Sequence, residues 1–269
     1  RIEKTMINCR IVIITGEMGT GKTQLIATAA KRIAESGRPV LLFLGQTFIS
    51  DESIENQIMQ NLEGLSTGQN FESLIAVMDE KAEVIGEEAI IFIDAINESK
   101  NREIWKNGIN RIITILEQYR HVKLVISLRT GYEKLTLSES VLDKKDAGDI
   151  AMIRHIGFAD ESPNKIYEFL SNCGIPFSPE YYLHSEMTNP LFLTWFCDTY
   201  SGEEQGLLTI IDHVLKQADK EGSKSAGMSE MVGILQPLIY EMLDDSETGI
   251  FTKQRILSSS AWNTYGIVN

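Results

Sequence analysis

The chain has little of what disulfide frameworks and metal centres are built from. Its 269 residues include three cysteines, without a CxxC pair, and four isolated histidines. Sparse cysteine of this kind is typical of reduced thiols that fill a core, and it predicts neither a disulfide framework nor a zinc site. No apolar run approaches the roughly 18–20 residues of a membrane span. We therefore expect a cytoplasmic module without a membrane partner.

Basic charge is also scarce. The chain holds 25 Lys and Arg against 38 Asp and Glu, for a net charge of −13. An acidic surface repels phosphate backbones, and no run of Lys and Arg supplies a local basic groove. These features disfavour nucleic acid as a partner. The opening "RIEKTM" lacks an initiator Met, so we expect a piece of a longer protein.

The first 160 residues alternate short apolar runs with amphipathic stretches, which is typical of β-α units around a parallel sheet. The apolar runs show little alternation, as expected for strands covered by helices on both faces. They predict a doubly wound, five-stranded α/β core. The candidate strands are Arg10–Thr15, Pro39–Leu44, Ala89–Asp94, Val122–Leu128 and Met152–Gly157, and the candidate helices between them are Lys22–Ser36, Ser50–Leu62, Phe71–Ile85 and Arg102–Tyr119.

Beyond Gly157 the strand-like runs end and helical periodicity takes over. This change predicts a boundary between the α/β core and an all-helical region. The predicted helices are Asn164–Asn172, Pro179–Met187, Leu191–Tyr200, Leu207–Asp219 and Ser229–Leu243.

The stretch "GEMGTGKTQ" fits the phosphate-binding pattern G-x-x-x-x-G-K-[ST] between a strand and a helix. In such a loop the backbone N–H groups and the dipole of the following helix hold phosphates. Lys22 would reach the β- and γ-phosphates, and the Thr23 hydroxyl would bind Mg²⁺. We expect nucleotide contacts from Gly16, Glu17, Met18, Gly19, Thr20, Gly21, Lys22, Thr23 and Gln24.

A second acidic motif follows the apolar run Ile90–Ile93. Asp94 ends this strand, where a carboxylate holds Mg²⁺ in phosphate-loop NTPases. Glu98 lies four residues on and is placed to polarise an attacking water, which favours hydrolysis. A full strand, Pro39–Leu44, separates the two motifs, so the Asp94 strand need not adjoin the phosphate-loop strand. That layout belongs to the NTPase division with an additional strand and a catalytic glutamate.

Arg129 stands at the carboxyl end of another predicted strand. An arginine there faces the nucleotide crevice, where it could contact the γ-phosphate or pair with Glu98. Ser127 is a weaker candidate for the same crevice. The guanine-reading N-K-x-D pattern is absent, since "NKIY" puts Tyr167 where Asp is needed, and ATP is therefore favoured over GTP.

The motifs occur together and in order: "GEMGTGKT", "IIFIDAINE", "VKLVISLRT", "IRHIGFADESPNKIYEFLSNCGI" and "MTNPLFLTWFC". Over about residues 8–200 they resemble the STAND NTPases, especially the NACHT branch and its bacterial antiviral members. The resemblance makes residues 16–23 the Walker A motif, Asp94 with Glu98 the Walker B motif, and Arg129 a sensor arginine. It places Pro190 against the adenine or ribose. Asn97 stands where many relatives have an acid, which implies slow hydrolysis.

The same resemblance implies a domain plan and a function. The plan is an NTPase core at residues 1–157, a small helical domain at 158–203, and the start of a winged-helix-like domain at 204–269. ADP would hold the helical domains on the core, whereas ATP and a protein trigger would release them and drive self-association. The expected role is an ATP/ADP- and Mg²⁺-dependent switch in anti-phage defence, with the trigger sensed by a missing C-terminal region.

Two other classes stay open. A P-loop small-molecule kinase would need clustered lid arginines, but residues 129–165 offer only Arg129 and Arg154. An AAA+-type ATPase shares the core layout, and the sequence does not exclude it.

Overall fold

Five short apolar strands form the centre of the fold. The computed structural model describes residues 9–62, 70–146, 150–160, 164–176 and 185–202, together with residues 210, 212, 213, 215, 216 and 220. The predicted helix at 229–243, the predicted helix start at Pro179 and most of the expected winged-helix-like domain lie outside these residues. Of the predicted helix at 207–219, the structure describes residues 210, 212, 213, 215 and 216, all of them helical.

The strands confirm the prediction of five apolar runs, with ends shifted by up to three residues, but the second and fifth strands are only partly buried. Nearly every side chain in the three central strands is buried. Burial of each aliphatic side chain of this size stabilises the fold by about 1.5–3 kcal/mol. The strands are β1 (Ile11–Gly16), β2 (Val40–Leu44), β3 (Ala89–Asp94), β4 (Val122–Arg129) and β5 (Ile150–Arg154).

All neighbouring strands are parallel, and their spatial order is β2-β3-β4-β1-β5. The strand that ends in Asp94 is therefore separated from the phosphate-loop strand by β4. This confirms the expected layout with an additional strand. Parallel pairing requires a crossover after each strand, and the helices supply most of these crossovers.

Helices cover both faces of the sheet. The predictions at 71–85 and 164–172 match the observed bounds, whereas two short helices after β4 were not predicted. The helices are α1 (Lys22–Glu35), α2 (Ile54–Gln60), α3 (Phe71–Ile85), α4 (Glu103–Leu116), α5 (Glu133–Thr136), α6 (Glu139–Asp146), α7 (Asn164–Asn172) and α8 (Pro190–Thr199).

Local sequence explains where α3 begins and ends. The Asn70 side chain accepts the backbone N–H of Ser73, and the Ser73 hydroxyl accepts the backbone N–H of Asn70. This reciprocal cap satisfies two of the donors that a helix start leaves open. Gly86 ends the helix in the left-handed region at φ 76°, which glycine adopts without steric cost.

The core has two parts, one on each face of the sheet. The smaller part packs α1 against β1, β3 and β4 through residues such as Ile26 and Phe92. In the larger part the rings of Phe48 and Trp105 lie 4.8 Å apart, and the Trp105 indole N–H donates to Ser99 Oγ at 2.7 Å. A buried indole thus keeps its hydrogen bond.

The cysteines are not all core residues as expected. Cys173 is exposed, while Cys9 and Cys197 are partly buried. Burial raises the pKa of the Cys197 thiol to about 12, with a smaller contribution from its hydrogen bond to Cys173. Because the thiolate is the reactive form, the Cys197 thiol is inert near neutral pH.

The chain divides into two compact units. One consists of residues 1–171 and 176–193, and the other of residues 172–175 and 194–269. The three-domain division at 157 and 203 therefore stays a prediction. Within the described ranges, no helix combines the length and apolarity that a membrane crossing requires.

Gly108 provides a test of the packing between α2 and α4. A Cβ at this position would overlap Ile54, whose Cγ1 would lie 2.8 Å away and its Cδ1 closer still. We expect Gly108→Ala to lower the free energy of unfolding by about 1–3 kcal/mol through overpacking, although alanine raises helix propensity by about 1 kcal/mol. Urea unfolding measures the change. Adding Ile54→Val should restore part of the loss, and a Gly108→Ala variant more stable than wild type would contradict the packing.

Candidate nucleotide-binding site

The carboxyl ends of β1, β4 and β3 meet at one edge of the sheet. Gly16 at the end of β1 pairs in register with Arg129 at the end of β4. Asp94 follows the last residue pair of β3 and β4, Ile93 with Ile126. Strand register thus brings together three residues that the sequence separates widely, at the edge where open α/β sheets bind ligands.

Three glycines give the loop after β1 its shape. Gly19 and Gly21 have φ values of 77° and 92°, a region that other residues rarely adopt. A Cβ on Gly16 would overlap the backbone carbonyl of His155. The glycines of the phosphate-binding pattern are therefore required by backbone geometry.

The loop presents free backbone donors. No acceptor in the described part of the chain takes a hydrogen bond from the backbone N–H groups of residues 18–21. The Thr20 hydroxyl donates to the Glu17 carbonyl at 2.9 Å and braces the loop. Together with the N-terminus of α1, these donors fit an anionic phosphate chain.

Lys22 lies inside this loop. Its ammonium donates to the carbonyls of Gly16 and Glu17, each at 2.7 Å. Desolvation by burial lowers the pKa of Lys22, and the charge of Arg129 lowers it further, while the nearby carboxylates oppose the change, Asp94 most strongly. A phosphate at the loop would favour the charged ammonium.

Asp94 is held by the neighbouring strand. It is 3% exposed, and the fully buried Ser127 hydroxyl donates to its Oδ1. Ser127 Oγ in turn accepts the backbone N–H of Ala95 at 2.8 Å. One hydroxyl therefore fixes both the carboxylate and the turn that follows it. This arrangement supports the weaker prediction that Ser127 belongs to the crevice.

The turn after Asp94 has an uncommon backbone. Ala95 adopts the left-handed conformation at φ 55° and ψ 52°, which costs a non-glycine residue about 1–2 kcal/mol. The following 3₁₀ turn, Ile96–Glu98, leaves Glu98 exposed and buries Asn97 to 6% exposure. Glu98 is thus accessible to a water molecule.

Arg129 and Glu98 both lie within electrostatic reach of Lys22, since each affects the pKa of its ammonium. Among the residues that the structure describes, Arg129 forms no ion pair with Glu98. Of the two expected roles of Arg129, the structure therefore gives no support to pairing with Glu98. The contact with a γ-phosphate stays a prediction.

The start of α8 contacts the phosphate-binding loop from outside. The Asn189 amide donates to the Met18 carbonyl at 3.1 Å, and the Leu191 N–H donates to the Gly19 carbonyl at 3.2 Å. A Cβ on Gly19 would lie 2.7 Å from the Leu191 Cβ, so the approach depends on that glycine. Pro190 lies beside the loop, with its Cγ 3.7 Å from the position of a Cβ on Gly21.

The remaining predicted loop residues face solvent. Glu17, Met18, Thr23 and Gln24 are exposed, and Glu17 Oε1 lies 4.0 Å from Arg154 Nη2. The Thr23 hydroxyl is in the first turn of α1, as a magnesium ligand requires. The nucleotide contacts of these residues and of Pro190 stay predictions, as do the roles of Thr23 and Asp94 toward Mg²⁺.

Sequence reasoning missed several residues of the site. Asn97 looked like a lost acid, yet its side chain accepts the backbone N–H of Arg129 at 2.9 Å. Arg102 and Tyr132 contact Asn97 and Arg129, respectively. Neither residue belongs to a recognisable sequence motif. The resemblance placed the neighbouring Pro190 at the nucleotide but did not indicate the Asn189 contact, which joins residues 171 positions apart.

Comparisons with solved structures find distant similarity to several proteins. The similar structures include a DNA replication initiation factor (13% identity, TM-score 0.45, 90% of this chain, 65% of that one) and AMPPCP-bound DnaA from Aquifex aeolicus (14%, 0.45, 95% and 69%). ORC2 of Aeropyrum pernix is a third (12%, 0.48, 96% and 76%). This chain thus spans less than two thirds of the first of these proteins.

Curated proteins give no match to the chain. A family model does match: "ATPase family associated with various cellular activities (AAA)" aligns with residues 12–147, half of the chain. The matched region runs from β1 through α6 and includes the phosphate-binding loop, Asp94, Glu98 and Arg129. The chain therefore belongs to the AAA ATPase family of P-loop nucleotide-binding proteins.

Proposed function

We propose that this chain binds Mg-ATP at the loop after β1 and hydrolyses it with water as the acceptor. One observation carries the proposal: strand register brings Arg129 and Asp94 to the edge that holds Lys22 and a loop whose free N–H groups fit a phosphate chain, and Glu98 is close enough to affect the pKa of Lys22. An ammonium, a magnesium-binding carboxylate, an arginine and an accessible carboxylate are what phosphoryl transfer to water requires.

Each group has a distinct task in this chemistry. Bound Mg²⁺ would neutralise charge on the phosphates, with Thr23 and Asp94 as the residues that hold it. Lys22 and Arg129 would stabilise negative charge on the γ-phosphate oxygens. Glu98 would accept a proton from the attacking water. The buried contact between Ser127 and Asp94 would orient the magnesium-binding carboxylate.

A second candidate function, a nucleotide-dependent switch, is favoured by the contacts of α8. Asn189 and Leu191 bind carbonyls of the same loop whose N–H groups would hold phosphate. A shift of the loop on binding phosphate would therefore change the docking of α8, and a ligand moves an equilibrium only through such differential contacts. Self-association could follow from this change.

The branch within the P-loop NTPases is a separate question. The family match supports the AAA-type ATPase more directly than the STAND and NACHT type that the motifs resemble. We keep slow turnover, a protein trigger and a role in anti-phage defence as proposals that rest on the resemblance alone. The expectation that nucleic acid is not a partner also stays unconfirmed. A similar structure, that of DnaA, contains AMPPCP and single-stranded DNA. ATP turnover of this chain should therefore be measured with and without DNA.

Substitutions at Lys22 and Glu98 should separate binding from chemistry. We expect Lys22→Ala to abolish measurable ATP binding, because the loop loses its only ammonium. Glu98→Gln should keep ATP affinity within about twofold and lower kcat by about 10²–10⁴-fold, the typical value for loss of a general base. Calorimetric titration and phosphate release measure the two effects. Glu83→Gln, at an exposed position of α3, is the control, and a fully active Glu98→Gln would contradict the assignment.

Ser127→Ala should weaken the response to magnesium. Without the hydroxyl, the Asp94 carboxylate loses its hydrogen-bond donor, and loss of such an outer contact typically costs about 10-fold in metal affinity. We expect the Mg²⁺ concentration for half-maximal phosphate release to rise by that factor. Ser140→Ala is the control, since its hydroxyl bonds to Asn110 on the helical face, away from the crevice. An unchanged magnesium titration would show that Asp94 needs no support from Ser127.

Asn189→Ala should uncouple α8 from the nucleotide. The substitution removes the acceptor for the Leu191 and Phe192 N–H groups and the bond to the Met18 carbonyl. We expect ATP to alter amide exchange over residues 185–202 in wild type, and this effect to vanish in the variant. Asn70→Ala removes an equivalent helix cap far from the loop and should leave the ATP effect intact. If ATP does not change amide hydrogen exchange of α8 in the wild-type chain, the proposed nucleotide-dependent switch is wrong.

A further inference from the structure

The turn between β3 and α4 points two adjacent polar side chains in opposite directions. Asn97 is buried and Glu98 is exposed. The left-handed Ala95 sets this difference, because it starts the 3₁₀ turn immediately after Asp94. Whatever fixes Asn97 therefore also fixes where the Glu98 carboxylate can lie.

Asn97 makes a contact with β4 beyond the end of the pairing between β3 and β4. The pairing of β3 with β4 ends at Ile93 and Ile126, three residues before Arg129. The residue pairing of the two strands does not continue beyond that point. The Asn97 Oδ1 accepts the Arg129 backbone N–H at 2.9 Å and so extends the connection between the two strands by one side chain.

A second set of contacts closes the connection from the other side. Arg102 Nε donates to the Asn97 carbonyl at 2.6 Å, and the Arg102 guanidinium lies over the Tyr132 ring, 5.0 Å from its centroid. The Tyr132 N–H donates to the Arg129 carbonyl at 3.1 Å. The four residues thus form a closed ring, which we name the Asn97 ring. Each of its contacts is a hydrogen bond or a cation–π interaction.

The Asn97 ring joins the two loops that carry the reactive groups. Glu98 follows Asn97 directly, and the backbone of Arg129 is bound at both its N–H and its carbonyl. In-line attack of water on a γ-phosphate needs the carboxylate and the guanidinium at a fixed separation, and small displacements lower the rate steeply. The Asn97 amide does not ionise near neutral pH, and its oxygen already accepts the Arg129 N–H, so it acts on the reaction through position and not as an acid or base.

We propose that Asn97 is a positioning residue for hydrolysis, which sets Glu98 relative to Arg129 through the Asn97 ring. The proposal rests on the proposed ATP hydrolysis and goes beyond it. It also assigns a purpose to an asparagine that, by its place in the acidic motif, looks like the loss of a catalytic acid. We expect ATP binding to depend little on the ring, because the phosphate-binding loop and Lys22 lie outside it and Arg129 enters it through its backbone alone.

The test compares Asn97→Ala with Asn97→Asp in steady-state phosphate release by the whole chain. Alanine removes the acceptor of the Arg129 N–H, whereas aspartate keeps it. We expect Asn97→Ala to lower kcat by about 10- to 100-fold, the cost of a misplaced reacting group, with KM and ATP affinity unchanged. Asn97→Asp should retain kcat within about threefold, since a carboxylate accepts the same bond. ATP-binding stoichiometry corrects both rates for the folded fraction.

A second pair of variants covers the case in which Asn97→Ala does not fold. Tyr132→Leu removes the aromatic face under Arg102, and Tyr132→Phe keeps it. Only the leucine variant should lose kcat, by a smaller factor than Asn97→Ala. Equal kcat in the two Tyr132 variants would show that the contact between Arg102 and Tyr132 does not contribute to positioning, and would contradict the proposal.

The remaining outcomes separate this proposal from the ATPase itself. If the wild-type chain releases no phosphate, the proposed ATP hydrolysis and the positioning role of Asn97 are both wrong. If wild type hydrolyses ATP and Asn97→Ala matches its kcat, the positioning role is wrong and the ATPase stands. An aspartate variant as slow as the alanine variant would show that the acceptor oxygen is not what matters, and a rise in KM at constant kcat would assign Asn97 to binding.

Discussion

The position of β4 between β1 and β3 is the constraint on which the site depends. Its register with β1 places Arg129 beside Gly16, and its pairing with β3 brings Ser127 to Asp94. One strand therefore carries a polar residue to each side of the crevice. Had β3 paired directly with β1, β4 could have adjoined only one of them, and the two contacts could not have formed together.

Stiffness at this edge comes from backbone geometry as well as from side chains. Ala95 is held in the left-handed region, and Gly45 lies so close beneath the Ala95 carbonyl that any Cβ there would overlap it. Such strain persists only where surrounding contacts over-determine it. Here Ser127 supplies one contact to the turn and Asn97 supplies another. A preorganised edge suits a reaction whose barrier depends on the placement of charge.

The sequence predicts the parts of the fold that follow from local pattern. Buried strands read as continuous apolar runs, and the phosphate-binding loop follows from glycine and lysine spacing, so both could be predicted. The short helices α5 and α6 lack a long enough periodic face to reveal themselves. Asn97 could not be assigned, because its role depends on the φ of Ala95 and on where the β3–β4 pairing ends. The family branch was also beyond reach, since related P-loop ATPases share the core motifs.

The most direct test of the central claim is a crystal structure of the chain with Mg²⁺ and a non-hydrolysable ATP analogue. We expect the phosphates on the N–H groups of residues 18–21, the γ-phosphate beside Lys22 and Arg129, and the metal between the Thr23 hydroxyl and the Asp94 carboxylate. Glu98 should face the open side of the γ-phosphate through a water molecule. A nucleotide bound elsewhere, or a metal remote from Asp94, would contradict the account.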